Sequence, residues 1–571
     1  MKKRWRVEDA DKGLQAELGR RLNILPITAQ LLINRGLVDH DRASSFLRPE
    51  LKDLHDPFLL KGMDKAAPRA VEAILRRETV AIYGDYDVDG TCAAAVLHGF
   101  FVAAGTLPVV YIPHRQKEGY GLNKGALDYL SSRGVTLVIT VDCGMSNADE
   151  VKYASSLGMD VIVTDHHEPG AELPDAYAVV NPKQKGCAFP FKGLAGVGVA
   201  FNLVMALRAL LRKLGHFSKT NEPNLLKYTD LVCVGTVADM VPLLDENRVL
   251  VSYGLKELAS SSRPGLEALK EVSVLREGRL DADAIAFQLA PRINAAGRLS
   301  KAHAAFRLLT TEDEAEARSL AAELDSENSR RQKIEAEMFK EALSMLQPAP
   351  TDKGIVLYSE AWHPGVVGIV ASRLVERFSR PAVVISLKHG VGKGSARGTR
   401  SFDMLEGLDS CAGFLTRYGG HRMAAGLTVD EKNLSAFRDE FLKFANLRLT
   451  DDDMTPELRM DAVVSSNELG VRLVTEIESL APFGVANRTP LFCLRNARIA
   501  ATEVVGSRHL RFVLSHQGVN FRGIGFGMAP MHPLEGDGFA VAFSPYLDEW
   551  RGERRLGFKI KDVEGPANTL T

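Results

Sequence analysis

The chain has 571 residues, 45% apolar and 25% charged, which is the balance of a soluble globular protein and too long for one core, so about two to four domains are expected. Lys plus Arg total 71 against 72 for Asp plus Glu, a net charge of −1, which excludes a globally basic nucleic-acid binder and leaves any polyanion to local basic sites, helix ends or metals. No apolar run can span a membrane, the basic start Met1-Lys2-Lys3-Arg4-Trp5-Arg6 lacks the apolar stretch of a signal peptide, and six scattered cysteines form no Cys-x-x-Cys pair, which argues against a structural zinc site and a disulfide framework and fits a reducing cytoplasm.

Up to about residue 75 the pattern is helical, broken at Leu22-Asn23-Ile24-Leu25-Pro26 and restarting from Ala29 to Gly36, with no chemistry beyond a lid or packing element. From about 78 to 245 strand-like runs (Thr79 to Tyr83, Val109 to Ile112, Leu137 to Val141, Val161 to Thr164, Ala178 to Val180) alternate with helical ones (Thr91 to Ala104, Asn147 to Leu157, Val197 to Leu214). That alternation predicts a mainly parallel sheet with helices on both faces and a ligand at the carboxyl ends of its strands. Residues Glu312 to Gln347 read as one helix about 50 Å long, polar all round near Asp325 to Lys333, and so a solvated connector. A second α/β unit at about 350 to 447 has a strand from Gly354 to Tyr358, a helix from Val366 to Phe378, a strand from Ala382 to Ser386 and a glycine-rich loop. The last stretch, about 455 to 565, carries short alternating runs that suggest a small β-barrel or sandwich. The expected division is 1–75, 76–310, 311–348, 349–450 and 451–571.

The chemistry concentrates where strands end. Gly84-Asp85-Tyr86-Asp87-Val88-Asp89-Gly90 spaces three aspartates two residues apart, and on an extended segment alternate side chains share one side. Crowded carboxylates need a cation, and hard divalent ions prefer oxygen ligands. Later strands end in Asp142 and in Asp165-His166-His167, and Val234 to Pro242 adds Asp239. Alone, Asp142 reads as a helix cap and a His-His pair as polar surface; together they suggest two metals, with a mixed carboxylate–imidazole set suited to Mn²⁺ more than Mg²⁺.

These residues resemble the motifs of the DHH phosphoesterase superfamily, and within it the chain is similar to the family of RecJ exonucleases. Further support comes from Pro291 to Arg298, Trp362 to Leu374 and Gly419-Gly420-His421-Arg422-Met423-Ala424-Ala425-Gly426. The resemblance implies an α/β fold: a parallel-sheet DHH domain joined by a long helix to a smaller α/β DHHA1 domain, followed by an OB-fold β-barrel. It implies two ions, Mn²⁺ or Mg²⁺, bridged by Asp142, one site completed by Asp89, His166 and Asp239. Asp85 and Asp87 would hold the other, their division of labour left open. His167 would face the scissile phosphate or orient the ligands, and Asp165 would hold a loop or a histidine tautomer.

Substrate contacts are expected from the loop Gly392-Lys393-Gly394-Ser395-Ala396-Arg397-Gly398, where glycines admit backbone N–H groups to an anion and Arg397 grips phosphate; many relatives have Gly at the Ala396 position. Arg115, Arg298 and His421 are further phosphate candidates, Tyr120 a stacking candidate, and His509, Arg511, Trp550, Arg551, Arg554 and Arg555 candidates on the terminal unit. The expected activity is 5′-to-3′ exonucleolytic hydrolysis of single-stranded DNA to mononucleotides in repair and recombination, by a monomer whose partners the resemblance extends to single-strand-binding protein and a helicase. A phosphodiesterase for short oligonucleotides or cyclic dinucleotides, and a pyrophosphatase, would share the metal motifs, but the helical start and β-rich end argue against both. A non-catalytic DNA-binding scaffold would have lost ligands, and every acidic and histidine position is present here.

Overall fold

The computed structural model, which describes residues 3–114, 118–170, 172–218, 220–275, 280–299, 302–347, 350–550 and 553–565, begins with a strand, β1 (Arg4–Val7), and the helices Lys12–Leu22, Pro26–Ile33 and His40–Leu47. Next come β2 (Val80–Gly84), β3 (Val109–Tyr111), β4 (Leu137–Val141), β5 (Asp160–Thr164) and β6 (Ala178–Val180). They form one all-parallel sheet in the order β3-β2-β4-β5-β6. Every residue of β2 and β4 is buried, as runs such as Val80-Ala81-Ile82-Tyr83 require when helices cover both faces. The chain leaves β2 for β3 on one side and returns to β4 on the other, and the crevice at that switch point is where a ligand fits.

Helices Pro264–Val272, Ala290–Leu299 and Ala302–Thr310 continue the first unit and lie against the long helix Glu314–Met345. That helix is not the solvated connector its polar middle suggested. Ala317, Leu320, Ala321 and Leu324 enter the core of the first unit, and Met338 and Ala342 enter a second core with Trp362 and Val370. Its middle is pinned by ion pairs, Arg292 to Asp325 at 2.8 Å and Arg373 to Glu335 at 3.1 Å.

The second sheet contains β7 (Ile355–Ser359), β8 (Ala382–Lys388), β9 (Val391–Arg397), β10 (Leu415–His421) and β11 (Ala424–Asp430), ordered β10-β11-β9-β8-β7. The expected glycine-rich loop is in fact β9, antiparallel to both β8 and β11. Its glycines make room across the sheet: a Cβ on Gly392 would lie 2.8 Å from Ile385 Cγ2, and one on Gly394 2.9 Å from Leu427 Cγ.

The last strands are β12 (Glu457–Met460), β13 (Ala462–Val464), β14 (Phe492–Val505), β15 (His509–His516), β16 (Val519–Gly525), β17 (Gly536–Trp550) and β18 (Glu553–Glu564). Strands β14-β15-β16-β18-β17 close into a five-stranded barrel through the β17–β14 pairing. Its core is shared with the start of the chain. Leu18, Ile27, Leu31, Leu32 and Phe46 pack with Phe492, Phe512, Phe543 and Phe558, and β1 pairs in parallel with β12. Among the described residues no helix is long and apolar enough to cross a membrane, and all six cysteines are free.

Arg248 ties the units together. Fully buried on the helix Asp245–Ala259, it donates from Nε to the Phe46 carbonyl (2.7 Å), from Nη1 to Leu480 (2.8 Å) and from Nη2 to Ser479 (3.1 Å) and Ala481 (2.8 Å). The guanidinium lies 3.8 Å from the centroid of the Phe46 ring. Three of the four acceptors come just after the helix Val471–Glu478, whose negative end suits a cation. Burial, with Arg35 adding to it, pulls the Arg248 pKa down to about 9. Arg248→Met would take one donor from each of four carbonyls, of which Leu480 keeps its bond from Asn487 Nδ2 while Ser479 and Ala481 belong to exposed residues, at a cost of about 1–3 kcal/mol. Urea denaturation checks this; a loss below about 1 kcal/mol refutes it.

Candidate metal centre

Strand β2 ends at Gly84, and the chain does not stay extended as the aspartate spacing suggested. It turns at once into the helix Val88–Ala103, capped by Asp87, whose Oδ1 accepts from Gly90 N at 3.0 Å. Gly90 permits the tight turn, since a Cβ there would lie 2.6 Å from Asp85 N. The triad is thereby split. Asp85 and Asp87 group with Asp142, whereas Asp89, one helical step on, groups with His166 and Asp239.

Asp142 comes directly after β4 in the left-handed region at φ 60°, with its N–H donated to the Thr164 carbonyl at 3.0 Å, so it is not a helix cap. Asp165 comes directly after β5 and its Oδ1 accepts from His166 N (2.7 Å), His167 N (3.0 Å) and His167 Nδ1 (2.8 Å), while Oδ2 accepts from Met145 N (3.0 Å). Its carboxylate is thus engaged by the backbone of the turn and by the His167 ring. Asp239 stands at the carboxyl end of the helix Thr229–Ala238, where the helix dipole disfavours a negative charge.

These groups converge. His166 Nε2 lies 3.1 Å from Asp142 Oδ1, 3.5 Å from Asp239 Oδ2 and 3.9 Å from Asp89 Oδ2, and His167 Nδ1 is 3.9 Å from Asp142 Oδ1. Asp142 Oδ1, His166 Nε2 and Asp239 Oδ2 are all buried without a hydrogen-bond partner. Burial and then the neighbouring Asp89, Asp87 and Asp239 push Asp142 well above the carboxylate range. Burial and Asp87 raise Asp89 to about 7 against the N–H groups of Val197 and Gly196, and burial with Asp89 and Asp87 raises Asp239 to about 9. Burial, then His167, drives His166 down to about 3, a neutral imidazole fit to ligate. For His167 burial acts downward, but the Asp165 bond and charge outweigh it and the net shift is up. Buried oxygens and a neutral imidazole nitrogen aimed at one another suit divalent cations such as Mn²⁺ or Mg²⁺.

Without metal, Asp89 and Asp239 hold protons that the unfolded chain has released above about pH 4, so folding takes up protons from about pH 4 to 9 and metal-free stability falls as pH rises. Cation binding needs those protons gone. The rise in melting temperature on adding Mn²⁺ is therefore expected to grow from about pH 6 to about 9. Differential scanning fluorimetry in Mn²⁺ or EDTA measures it, and a pH-independent increment would contradict it.

Sequence reasoning missed the segment that holds this centre from behind. Gly196 N donates to Asp89 Oδ2 at 2.6 Å and Val197 N to Asp89 Oδ1 at 2.8 Å, so a helix N-terminus grips the carboxylate. The Leu194 backbone bonds His166, whose Nε2 is turned to the carboxylates, so Nδ1 serves that bond. A Cβ on Gly196 would lie 2.7 Å from Asp142 Oδ1. The available signal was the run Gly193-Leu194-Ala195-Gly196-Val197-Gly198 opening a helix. Tyr120, expected as a stacking residue, has its hydroxyl 3.1 Å from His167 Nδ1 and donates it to the Asp142 carbonyl at 3.1 Å.

The expected substrate contacts divide. Arg115 lies outside the described residues, as does the side chain of Arg298. The helix carrying Arg298 nonetheless touches the acidic loop, because a Cβ on Gly297 would lie 2.6 Å from the Tyr86 carbonyl. Arg397 Nη1 donates to Ser395 Oγ (2.8 Å) and to the Ala396 carbonyl (2.9 Å). Arg397 and His421 flank Ala424 in one cross-strand row, so all three share a face of the second sheet. On the barrel His509 meets Phe526 edge-on at 5.1 Å, and Arg511 pairs with Glu503 at 2.7 Å, so that arginine is not free for phosphate alone. Arg551 and the side chain of Trp550 lie outside the described residues.

Three family models match: the DHH family N-terminal domain over residues 79–236, the DHHA1 domain over 351–447 and the RecJ OB domain over 460–562. The single-stranded-DNA-specific exonuclease RecJ of Bacillus subtilis is 39% identical over 569 residues, covering 98% of this chain and 71% of its own. The Escherichia coli RecJ is 36% identical over 578 residues, covering 98% of each. The crystal structure of Thermus thermophilus RecJ with Mn²⁺ superposes with a TM-score of 0.84 at 33% identity, covering 99% of this chain and 80% of that one; the corresponding Mg²⁺ structure gives 0.79 at 32%, covering 99% and 78%. With the DHH residues gathered at one switch point and the likeness running on through the second sheet and the barrel, the chain belongs to the RecJ family of the DHH superfamily.

Proposed function

We propose that the protein is a metal-dependent exonuclease that degrades single-stranded DNA from the 5′ end to mononucleotides, in repair and recombination. The observation that carries the reading is Asp142 grouped with Asp85 and Asp87 on one side and with His166 and His167 on the other, while His166 groups in turn with Asp89 and Asp239. On this reading Asp142 is shared by two ions, Asp89, His166 and Asp239 hold one, and Asp85 and Asp87 the other. When bound, two such ions stabilise the attacking and leaving oxygens of a displacement at phosphorus. The chain's own residues do the positioning. Asp165 accepts the Nδ1 proton of His167 and leaves its Nε2 for the scissile phosphate. Arg397, Ser395 and His421, with Arg115 and Arg298, hold substrate phosphates, and the barrel carries the rest of the strand in an electrostatic groove.

On this reading the labour divides between residues 76–310 for chemistry, 349–450 for phosphate binding and 451–571 for the strand. Monomeric action in the cytoplasm, beside single-strand-binding protein and a helicase, completes the proposal. It is tested with long single- and double-stranded DNA labelled at either end, in Mn²⁺, Mg²⁺ or EDTA. Mononucleotide release first from the 5′ end of single strands, abolished by EDTA, is expected; label released first from the 3′ end, or equal rates on duplex, overturns it.

A further inference from the structure

We infer that Asn247 is a positioning residue for the metal centre, tying together the two backbone segments that present Asp89, His166 and Asp239. Asn247 is fully buried beside Arg248. Its Nδ2 donates to the Gly193 carbonyl at 2.7 Å and to the Pro242 carbonyl at 3.0 Å. Two carbonyl acceptors on one amide nitrogen fix the amide orientation, since the flipped form would set oxygen against oxygen.

Gly193 begins the segment in which the Leu194 backbone bonds His166 and the N–H groups of Gly196 and Val197 grip Asp89. Pro242 ends the turn that starts at Asp239. That turn needs an external tie. Met240 within it adopts φ 58°, which disfavours any residue but glycine, and its side chain is exposed. Leu243 N, just beyond, donates to the Val485 carbonyl at 2.9 Å, so the turn is held from the barrel side as well. Asn247 touches none of the ligand groups; it acts through the two carbonyls. Aspartate has the same shape but no donor when ionised and a single O–H for two carbonyls when protonated, and alanine has neither shape nor donor.

The inference rests on the metal reading above, and the experiment separates the two. Mn²⁺ binding by calorimetry and electron paramagnetic resonance is measured for the full chain, for Asn247→Asp and for Asn247→Ala, with circular dichroism and metal-free melting confirming the fold. In both variants the affinity of one of two Mn²⁺ sites is expected to fall about 10–100-fold, the other staying within about threefold. Nuclease activity returns toward wild type at saturating Mn²⁺, which loss of a merely structural contact would not give. Two sites of undiminished affinity, equal weakening of both, or no rescue by excess Mn²⁺ overturns the role of Asn247 alone. Wild-type protein that binds fewer than two Mn²⁺ overturns the metal reading and this inference with it. Should Asn247→Asp not fold, Asn247→Ala carries the same comparison.

Discussion

Asp142→Asn is expected to lower exonuclease turnover by at least about 10³-fold, as much as or more than loss of a single electrostatic stabiliser costs elsewhere. The substitution keeps the shape of the side chain and removes a charge. Asp142 Oδ1 is buried without a partner, 3.1 Å from His166 Nε2, and groups with Asp85 and Asp87 on one side and with His166 and His167 on the other. Burial first, and then Asp89, Asp87, Asp239 and Asp85, raise its affinity for a proton, so in the metal-free protein ionising Asp142 is unfavourable. The variant should therefore unfold at or above the wild-type temperature in EDTA yet lose most of the stabilisation that Mn²⁺ gives the wild type. Cleavage of a 5′-labelled single strand and melting curves with and without Mn²⁺ measure both effects. Turnover within tenfold of wild type would sink the assignment.

Gly196→Ala is expected to lose about 10²–10³-fold in turnover through one added methyl group. The position is the first turn of a helix with no unusual φ, so the backbone tolerates alanine. The space does not: the new Cβ would sit 2.7 Å from Asp142 Cβ and Oδ1 and 2.9 Å from Cγ. Relief comes by swinging the carboxylate away or by backing the helix off, which breaks the 2.6 Å bond from Gly196 N to Asp89. A displacement near 1 Å in a reacting constellation costs about 10²-fold. Gly198→Ala, two residues on, is the control, since its Cβ meets first a side-chain methyl of Leu194, at 3.3 Å, and no metal-ligating group. Equal activity of the two variants, or loss of DNA binding by Gly196→Ala in EDTA, would contradict this steric account.

Much of the centre was legible because interior parallel strands announce themselves. Val80-Ala81-Ile82-Tyr83 is an unbroken apolar run and Leu137-Val138-Ile139-Thr140-Val141 is broken only by a β-branched threonine, and the residues just past the end of such a run lie at the mouth of the sheet. The geometry of the first triad was not legible, because a period of two assumes an extended chain and Asp87 begins a helix. The role of Gly196 was hidden for a different reason: its importance is a contact with Asp142, fifty-four residues earlier, and local pattern carries no such information. Gly392 and Gly394 misled in the opposite direction. Glycines usually punctuate strands, but here they clear space for Ile385, Val429 and Leu427 on neighbouring strands. The polar middle of the long helix likewise concealed apolar ends that reach two separate cores.

Strand β1 lies beside β12, and Ile27, Leu31 and Leu32 complete the core under the barrel, so the beginning and the end of this chain finish one unit. On the ribosome that unit cannot close in order of synthesis. Arg4 faces Glu457, and at about 5–20 residues per second roughly 20–90 s separate the appearance of the two. Throughout that interval the apolar helix Pro26–Ile33 has been made but its partner has not, while the parallel sheet behind it can already fold. The nascent chain thus carries an uncovered greasy segment for most of its own translation. Exposed apolar surface of this kind is what chaperones shield, and deleting the barrel would leave it uncovered permanently.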